Sequence, residues 1–84
     1  MTIGEWLKIA SDKLAEIGIT RSAIDSDLLL SLALDRPRSY CISHRQDGVG
    51  PEAKSRAETL LERRLNHEPM AYILGVKEFY GLQI

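Results

Sequence analysis

The chain has 84 residues, 44% of them hydrophobic and 27% charged, which indicates one folded domain and excludes a disordered segment. The chain has eleven Lys and Arg and twelve Asp and Glu residues. It therefore lacks the basic excess of a nucleic-acid-binding module, and we expect no direct nucleic-acid partner. The one cysteine forms no internal disulfide, no apolar run approaches the ~18 residues of a membrane span, and the start lacks signal-peptide features. We therefore expect a cytoplasmic protein without membrane contact.

The first predicted helix has signals at both ends. Thr2 and Glu5 have the spacing of a capping box, in which each side chain accepts a hydrogen bond from the backbone of the other residue. Apolar residues then recur at helical spacing from Ile3 to Ile17. Gly18 is typical of the residue that follows a helix.

The second predicted helix begins near Thr20, which we expect to be its N-cap. Its apolar residues cover more than one face, which favours a central place in a helical bundle. Asp25 and Asp27 are two residues apart and therefore lie on different faces. We interpret them as carboxylates that compensate the helix dipole, not as a catalytic pair.

Three further helices are predicted. Pro37 opens a short one over residues 38–44, and Pro51 opens an amphipathic one with Leu60 and Leu61 on its apolar side. A last short helix over residues 70–74 is closed by Gly75. The expected fold is all-α, a small bundle of about five helices over residues 1–75.

Residues 76–84 differ in composition from the helical part, because β-branched and aromatic residues surround Gly81. They predict the first strand of a β-hairpin around Gly81. Since a lone hairpin is marginal in water, we expect the chain to be a fragment, or a domain whose continuation was removed.

Few side chains are candidates for catalysis, metal binding or covalent attachment. Cys41 and His44 could offer two metal ligands, but a closed zinc site needs four, so we interpret Cys41 as a small buried residue. Asp25-Ser26 is similar to the attachment site of acyl carrier proteins, although the flanking residues differ. We interpret the arginines near the third and fourth helices as a solvated face. No catalytic, cofactor-binding or metal residue is predicted.

The segment 63–81 resembles the interdomain segment of the HemK/PrmC family, in which Arg-Arg is followed by Gly-Glu-Pro, an Ala-Tyr-Ile stretch, Gly and Glu-Phe. His67 occupies the usual glycine, so a positive φ there would strain it. Asp25-Ser26-Asp27 and the following leucines agree more loosely with the family. We expect these signature residues to contact a partner or the next domain: Arg63, Arg64, Glu68, Pro69, Tyr72, Gly75, Glu78 and Phe79.

The resemblance implies a function for the whole enzyme. The family are S-adenosylmethionine-dependent methyltransferases that modify the glutamine of the Gly-Gly-Gln motif in peptide-chain release factors. In such an enzyme, residues 1–75 would form the N-terminal domain that helps to bind the release factor and contacts its own C-terminal catalytic domain. Residues 76–84 would begin the β-hairpin linker to that methyltransferase domain. The cofactor would bind in that later domain and not in this fragment. The alternative is a free-standing helical module for binding or acyl carriage.

Overall fold

The computed structural model describes residues 1–75, and within them five α-helices form a bundle without a sheet. The predicted all-α fold of about five helices is confirmed. The predicted start of a β-hairpin at residues 76–84 lies outside the described residues. The helices are α1 (Ile3–Glu16), α2 (Ser22–Leu34), α3 (Arg38–Ser43), α4 (Pro51–Leu65) and α5 (Met70–Leu74).

Both ends of α1 form as predicted. The Thr2 amide donates to Glu5 Oε1 at 2.8 Å, and the Glu5 amide donates to Thr2 Oγ1 at 3.1 Å, which completes the capping box. Ile17 is the C-cap, and Gly18 follows it with φ of 91°. A positive φ has no steric cost for glycine, so the chain turns there toward α2.

The start of α1 is also held by the loop between α3 and α4. The amides of Ile3 and Gly4 donate to the carbonyl oxygens of Asp47 and Arg45, each at 2.8 Å. A Cβ atom at Gly4 would lie 3.3 Å from the Arg45 carbonyl oxygen, so a larger residue would push this loop away. The loop therefore accepts hydrogen bonds from amides that have no partner within the helix.

The helix α2 lies at the centre of the bundle and packs against the other four helices, as its broad apolar surface predicts. The prediction that Thr20 caps it is wrong. The N-cap is Arg21, and no side chain caps this end. The Ile19 amide donates to the Leu14 carbonyl, which keeps Thr20 in the turn that follows α1, one residue before the cap.

The core lies between α1, α2 and α4, with single contributions from α3 and α5. Cys41 of α3 is fully buried, as expected for a small apolar residue. Within residues 1–75, no helix is long and apolar enough to cross a bilayer. The buried apolar residues are Ile3, Trp6, Leu7, Ala10, Leu14, Leu29, Leu30, Ala33, Cys41, Ala57, Leu61 and Ile73.

Candidate functional site: the clasp between α2 and the α4–α5 turn

The turn between α4 and α5 is built by a Schellman motif. Asn66 is the C-cap of α4, the His67 amide donates to the Arg64 carbonyl at 2.9 Å, and the Glu68 amide donates to the Arg63 carbonyl at 3.1 Å. The residue after the C-cap in this motif is left-handed and usually glycine. Here it is His67, with φ of 67°. The strain expected for a histidine at this position is therefore present.

Arg63 and Glu68 close the turn from one side. The Arg63 Nε donates to Glu68 Oε1 at 3.0 Å, and its Nη2 donates to Glu68 Oε2, so the guanidinium and the carboxylate pair through two parallel hydrogen bonds. These bonds from Arg63 lower the pKa of Glu68 below its ordinary value of 4.5. Both groups are therefore ionised at neutral pH, and the pair holds Glu68 beside the last turn of α4.

Arg64 ties the same turn to the central helix. Its Nε donates to Asp25 Oδ2 of α2 at 3.1 Å, and its Nη1 donates to the Glu68 carbonyl at 3.0 Å. The Arg64 and Asp25 side chains are only 20% and 10% exposed. One guanidinium thus joins α2, α4 and the turn before α5. We call the four residues Asp25, Arg63, Arg64 and Glu68 the clasp.

Asp27 has a different partner from Asp25. The Arg38 Nε of α3 donates to Asp27 Oδ2 at 3.2 Å. The prediction that the two aspartates lie on different faces is confirmed. Their interpretation as general dipole compensation missed both ion pairs, because each partner comes from another helix and no local spacing indicates it.

The remaining signature residues lie along α5. Pro69 is its N-cap, and the Pro69 carbonyl accepts from the amides of Tyr72 and Ile73. Ile73 is buried and anchors the helix, whereas the Tyr72 side chain points outward and is 73% exposed. Gly75 follows α5 with φ of 81°. Glu78 and Phe79 lie outside the described residues, so the contact role expected for the signature stays a prediction.

A groove of about 670 Å³ opens beside the clasp. One wall is the turn 18–21 between α1 and α2, and the opposite wall contains His67, Pro69 and Met70. Ile24, Asp25 and Leu28 of α2 lie between them, together with Arg64. We call it the α2–α5 groove. Its volume falls within the range typical of ligand-binding clefts.

Arg56 is another polar contact that the sequence did not indicate. Its guanidinium donates from Nε and Nη2 to the Ala33 carbonyl, at 3.1 and 2.8 Å. Ala33 lies in the last turn of α2, where carbonyl groups lack helical partners. The contact spans 23 residues and has no local signal in the sequence.

The sequence offered two other candidate sites, the Cys41–His44 pair as metal ligands and Ser26 as an attachment serine. Burial, helped by the charge of Asp27, raises the pKa of the Cys41 thiol to about 11, while His44 is exposed and stacks on Tyr40 with 4.0 Å between ring centroids. Within residues 1–75, no three His, Cys, Asp or Glu side chains lie close enough to share a metal ion. Ser26 is 1% exposed, and its hydroxyl donates to the Ala23 carbonyl, so a prosthetic group could not be attached without local unfolding.

The sequence of this chain is similar to the sequences of known proteins. Residues 5–75 match the family model described as the PrmC N-terminal domain. A bifunctional methyltransferase of Rickettsia felis is 42% identical over 80 residues, which cover 95% of this chain and 15% of that protein. A release factor glutamine methyltransferase of Vibrio cholerae is 38% identical over 84 residues, which cover 100% of this chain and 29% of that protein. The chain thus spans less than a third of these relatives. No solved structure matches it significantly.

Proposed function

The chain belongs to the PrmC N-terminal domain family, and from this premise we propose that it is the substrate-recruiting domain of a protein methyltransferase. The substrate is a peptide-chain release factor, and the reaction transfers a methyl group to the glutamine of its Gly-Gly-Gln motif. The cofactor is S-adenosylmethionine, bound by the later catalytic domain. Because this enzyme serves translation termination, we place it in the cytoplasm.

The proposal rests on the family match over residues 5–75. It also rests on the length of the relatives, of which the aligned part is only a small share. The Vibrio cholerae relative is named for glutamine methylation of release factors, and the aligned part is 29% of its length. A helical domain of this size that accompanies a methyltransferase is suited to hold the substrate. Remote contacts of this kind supply binding energy that orients a large substrate at the reacting atoms.

The electrostatics of the domain support a binding role over a catalytic one. A general acid or base needs a carboxylate that can exchange a proton with substrate. The two least exposed ion-paired carboxylates, Asp25 and Asp27, are each held by an arginine from another helix. Glu68 is held by Arg63, which stabilises its ionised form. These contacts suit a rigid scaffold, so we assign no catalytic residue to this domain.

The clasp suggests what the family signature does. Arg63, Arg64 and Glu68 hold the α4–α5 turn and so direct α5 and Gly75. We propose residues 1–75 as the domain and residues 76–84 as the start of the linker to the catalytic domain. Pro69 and the exposed Tyr72 remain available for contact with the partner or with that domain.

The alternative is a free-standing helical module, in its sharpest form an acyl carrier. Such a carrier needs an accessible serine hydroxyl, and the Ser26 hydroxyl is buried in α2. The similarity to the N-terminal part of methyltransferases also favours the recruiting domain.

Removal of residues 1–75 from the full-length enzyme tests the proposed function. Remote contacts act only on a substrate large enough to reach both domains. We therefore expect kcat/KM for the intact release factor to fall sharply, and kcat/KM for a short Gly-Gly-Gln peptide to change little. Affinity for S-adenosylmethionine, measured by calorimetry, should also change little. Circular dichroism and thermal melting of the truncated enzyme provide the control for folding.

The competing role is that of a scaffold for the catalytic domain. In that case kcat/KM would fall equally for protein and peptide, and cofactor affinity would weaken as well. Equal losses on the two substrates would contradict recruitment.

A further inference from the structure

We propose that the α2–α5 groove receives an apolar segment of the release factor that carries an Asp or Glu side chain. This inference rests on the proposed function and names the surface through which the domain would act. It assigns the partner's contact to the groove, while the clasp beside it keeps the groove in shape.

The inner surface of the groove is apolar enough to bind such a segment. Ile24, Leu28 and Met70 line it and are partly exposed to solvent. Ile19, in the wall formed by the α1–α2 turn, also packs against the core while part of its surface remains accessible. Partly exposed aliphatic groups grouped in a concave surface gain stability when a partner removes them from water.

The charge of the groove selects an acidic partner. Among its lining residues within 1–75, the one carboxylate is that of Asp25, which is engaged by Arg64. Arg21 is exposed at the rim, and its side chain makes no hydrogen bond or ion pair within residues 1–75. Arg21 also marks the N-terminus of α2, where no side chain caps the helix and the helix dipole favours a negative charge. A carboxylate of the partner would therefore be attracted by the Arg21 guanidinium and by the N-terminus of α2.

Both walls of the groove are held in shape before any partner binds. The α1–α2 wall is set by the Ile19 amide bonded to the Leu14 carbonyl, and by Gly18 with its positive φ. The opposite wall is set by the Schellman motif at His67 and by the clasp. A preformed surface loses less conformational entropy on binding than a flexible one. The opposite wall also continues into α5, which places a bound partner beside the exit of the chain toward the catalytic domain.

Charge reversal at the rim tests the proposal in the full-length enzyme. The matched control is Arg45→Glu, because Arg45 is also exposed and lies at the other end of α1, a helix of 14 residues and therefore about 21 Å long. We expect Arg21→Glu to lower kcat/KM for the intact release factor, relative to the Gly-Gly-Gln peptide, roughly three- to tenfold, and the loss to shrink at high salt. Arg45→Glu should leave the ratio unchanged.

Failure of this proposal is distinguishable from failure of the proposed function. If removal of residues 1–75 impairs the protein substrate selectively but Arg21→Glu behaves like Arg45→Glu, the domain recruits through another surface and the groove proposal is overturned. If removal of the domain affects protein and peptide equally, recruitment itself fails.

A cross-link identifies the occupant directly. Thr20 lies in the groove wall and is exposed, so a Thr20→Cys variant of the full-length enzyme can carry a thiol-linked photo-crosslinker. Cys41 is fully buried with a raised pKa, so this domain contributes little background labelling. Cross-linking to an acidic, apolar peptide of the release factor, found by mass spectrometry, supports the proposal. Cross-linking to the enzyme's own catalytic domain, to a second copy, or to no partner overturns it.

Discussion

The Arg64 guanidinium and the Asp25 carboxylate form an ion pair across 39 residues of sequence, with 3.1 Å between Arg64 Nε and Asp25 Oδ2. Both side chains are largely removed from solvent. Loss of one partner from such a pair leaves the other charge poorly solvated, which costs more than the pair itself contributes. Removal of either partner should therefore lower the stability of the domain. Removal of one partner from an exposed ion pair should lower it much less.

Arg64→Met should lower the free energy of unfolding by about 2–3 kcal/mol, somewhat below the cost for a fully buried pair because solvent still reaches both groups. Urea unfolding followed by circular dichroism measures this change. The double variant Asp25→Leu with Arg64→Met should lose less than the sum of the single variants, because no unpaired charge remains.

The control for this prediction is the exposed pair Lys8–Asp12, at 3.4 Å with side chains 77% and 66% exposed. Lys8→Met should change stability by less than about 0.5 kcal/mol. If Arg64→Met is as harmless as Lys8→Met, the clasp does not stabilise the domain.

Leu61 and Leu60 are adjacent on α4 but differ in burial, since Leu61 is 5% exposed and Leu60 is only partly buried. Leu61→Ala removes core contacts and leaves a cavity, so it should cost about 2–5 kcal/mol. Leu60→Ala should cost clearly less, because its site can be filled by solvent. Thermal melts of both variants beside the parent test the assignment. Equal melting temperatures for the two variants would show that the apolar face of α4 is misassigned.

The helices were predictable from the sequence because their signals are local. The Thr2–Glu5 capping box, Gly18 after α1 and Gly75 after α5 each act within a few residues, and each appears in the structure. Thr20 misled the prediction, since a hydroxyl residue near a helix start is only a cap if the preceding turn places it there. That turn is set by a hydrogen bond to Leu14, which the local pattern does not indicate.

The candidate site was only partly predictable, for a related reason. The signature identified Arg63, Arg64 and Glu68, and these residues do meet in one turn. Their connection to Asp25 depends on how α2 packs against α4, which hydrophobic periodicity alone does not specify. The groove depends on the same packing, so its walls become visible only when both turns are placed.

Glu68 should show a pH dependence that comes from Arg63. The hydrogen bonds from Arg63 lower the pKa of Glu68 from its ordinary value of 4.5. A carboxyl with a lower pKa in the folded state stabilises that state above the unfolded pKa, and this stabilisation is lost as pH falls through the folded pKa. The domain should therefore lose this contribution below about pH 4.5 and keep it at neutral pH.

Carbon-detected NMR titration of the Glu68 carboxyl measures this pKa directly. In Arg63→Gln the pKa should rise toward the ordinary value, because the charged donor is gone. If Arg63→Gln leaves the Glu68 pKa unchanged, the Arg63–Glu68 pair does not form in solution.

His67 has a left-handed backbone with φ of 67°, at the position of the Schellman motif that glycine usually occupies. A non-glycine residue in this conformation carries about 1–2 kcal/mol of strain, because its Cβ crowds the following carbonyl. Glycine removes that strain but gives the unfolded chain more freedom. We expect His67→Gly to stabilise the domain by about 0.5–1 kcal/mol, which raises the melting temperature by about 3–6 °C in a domain of this size.

Asn66→Gly is the control, since Asn66 has φ of −87° and no strain to relieve, and it should give no gain. His67→Val should destabilise, because a β-branched residue tolerates positive φ worst. If His67→Gly and Asn66→Gly melt alike, His67 does not hold the left-handed conformation in solution, and the wall of the groove that it forms has a different shape there.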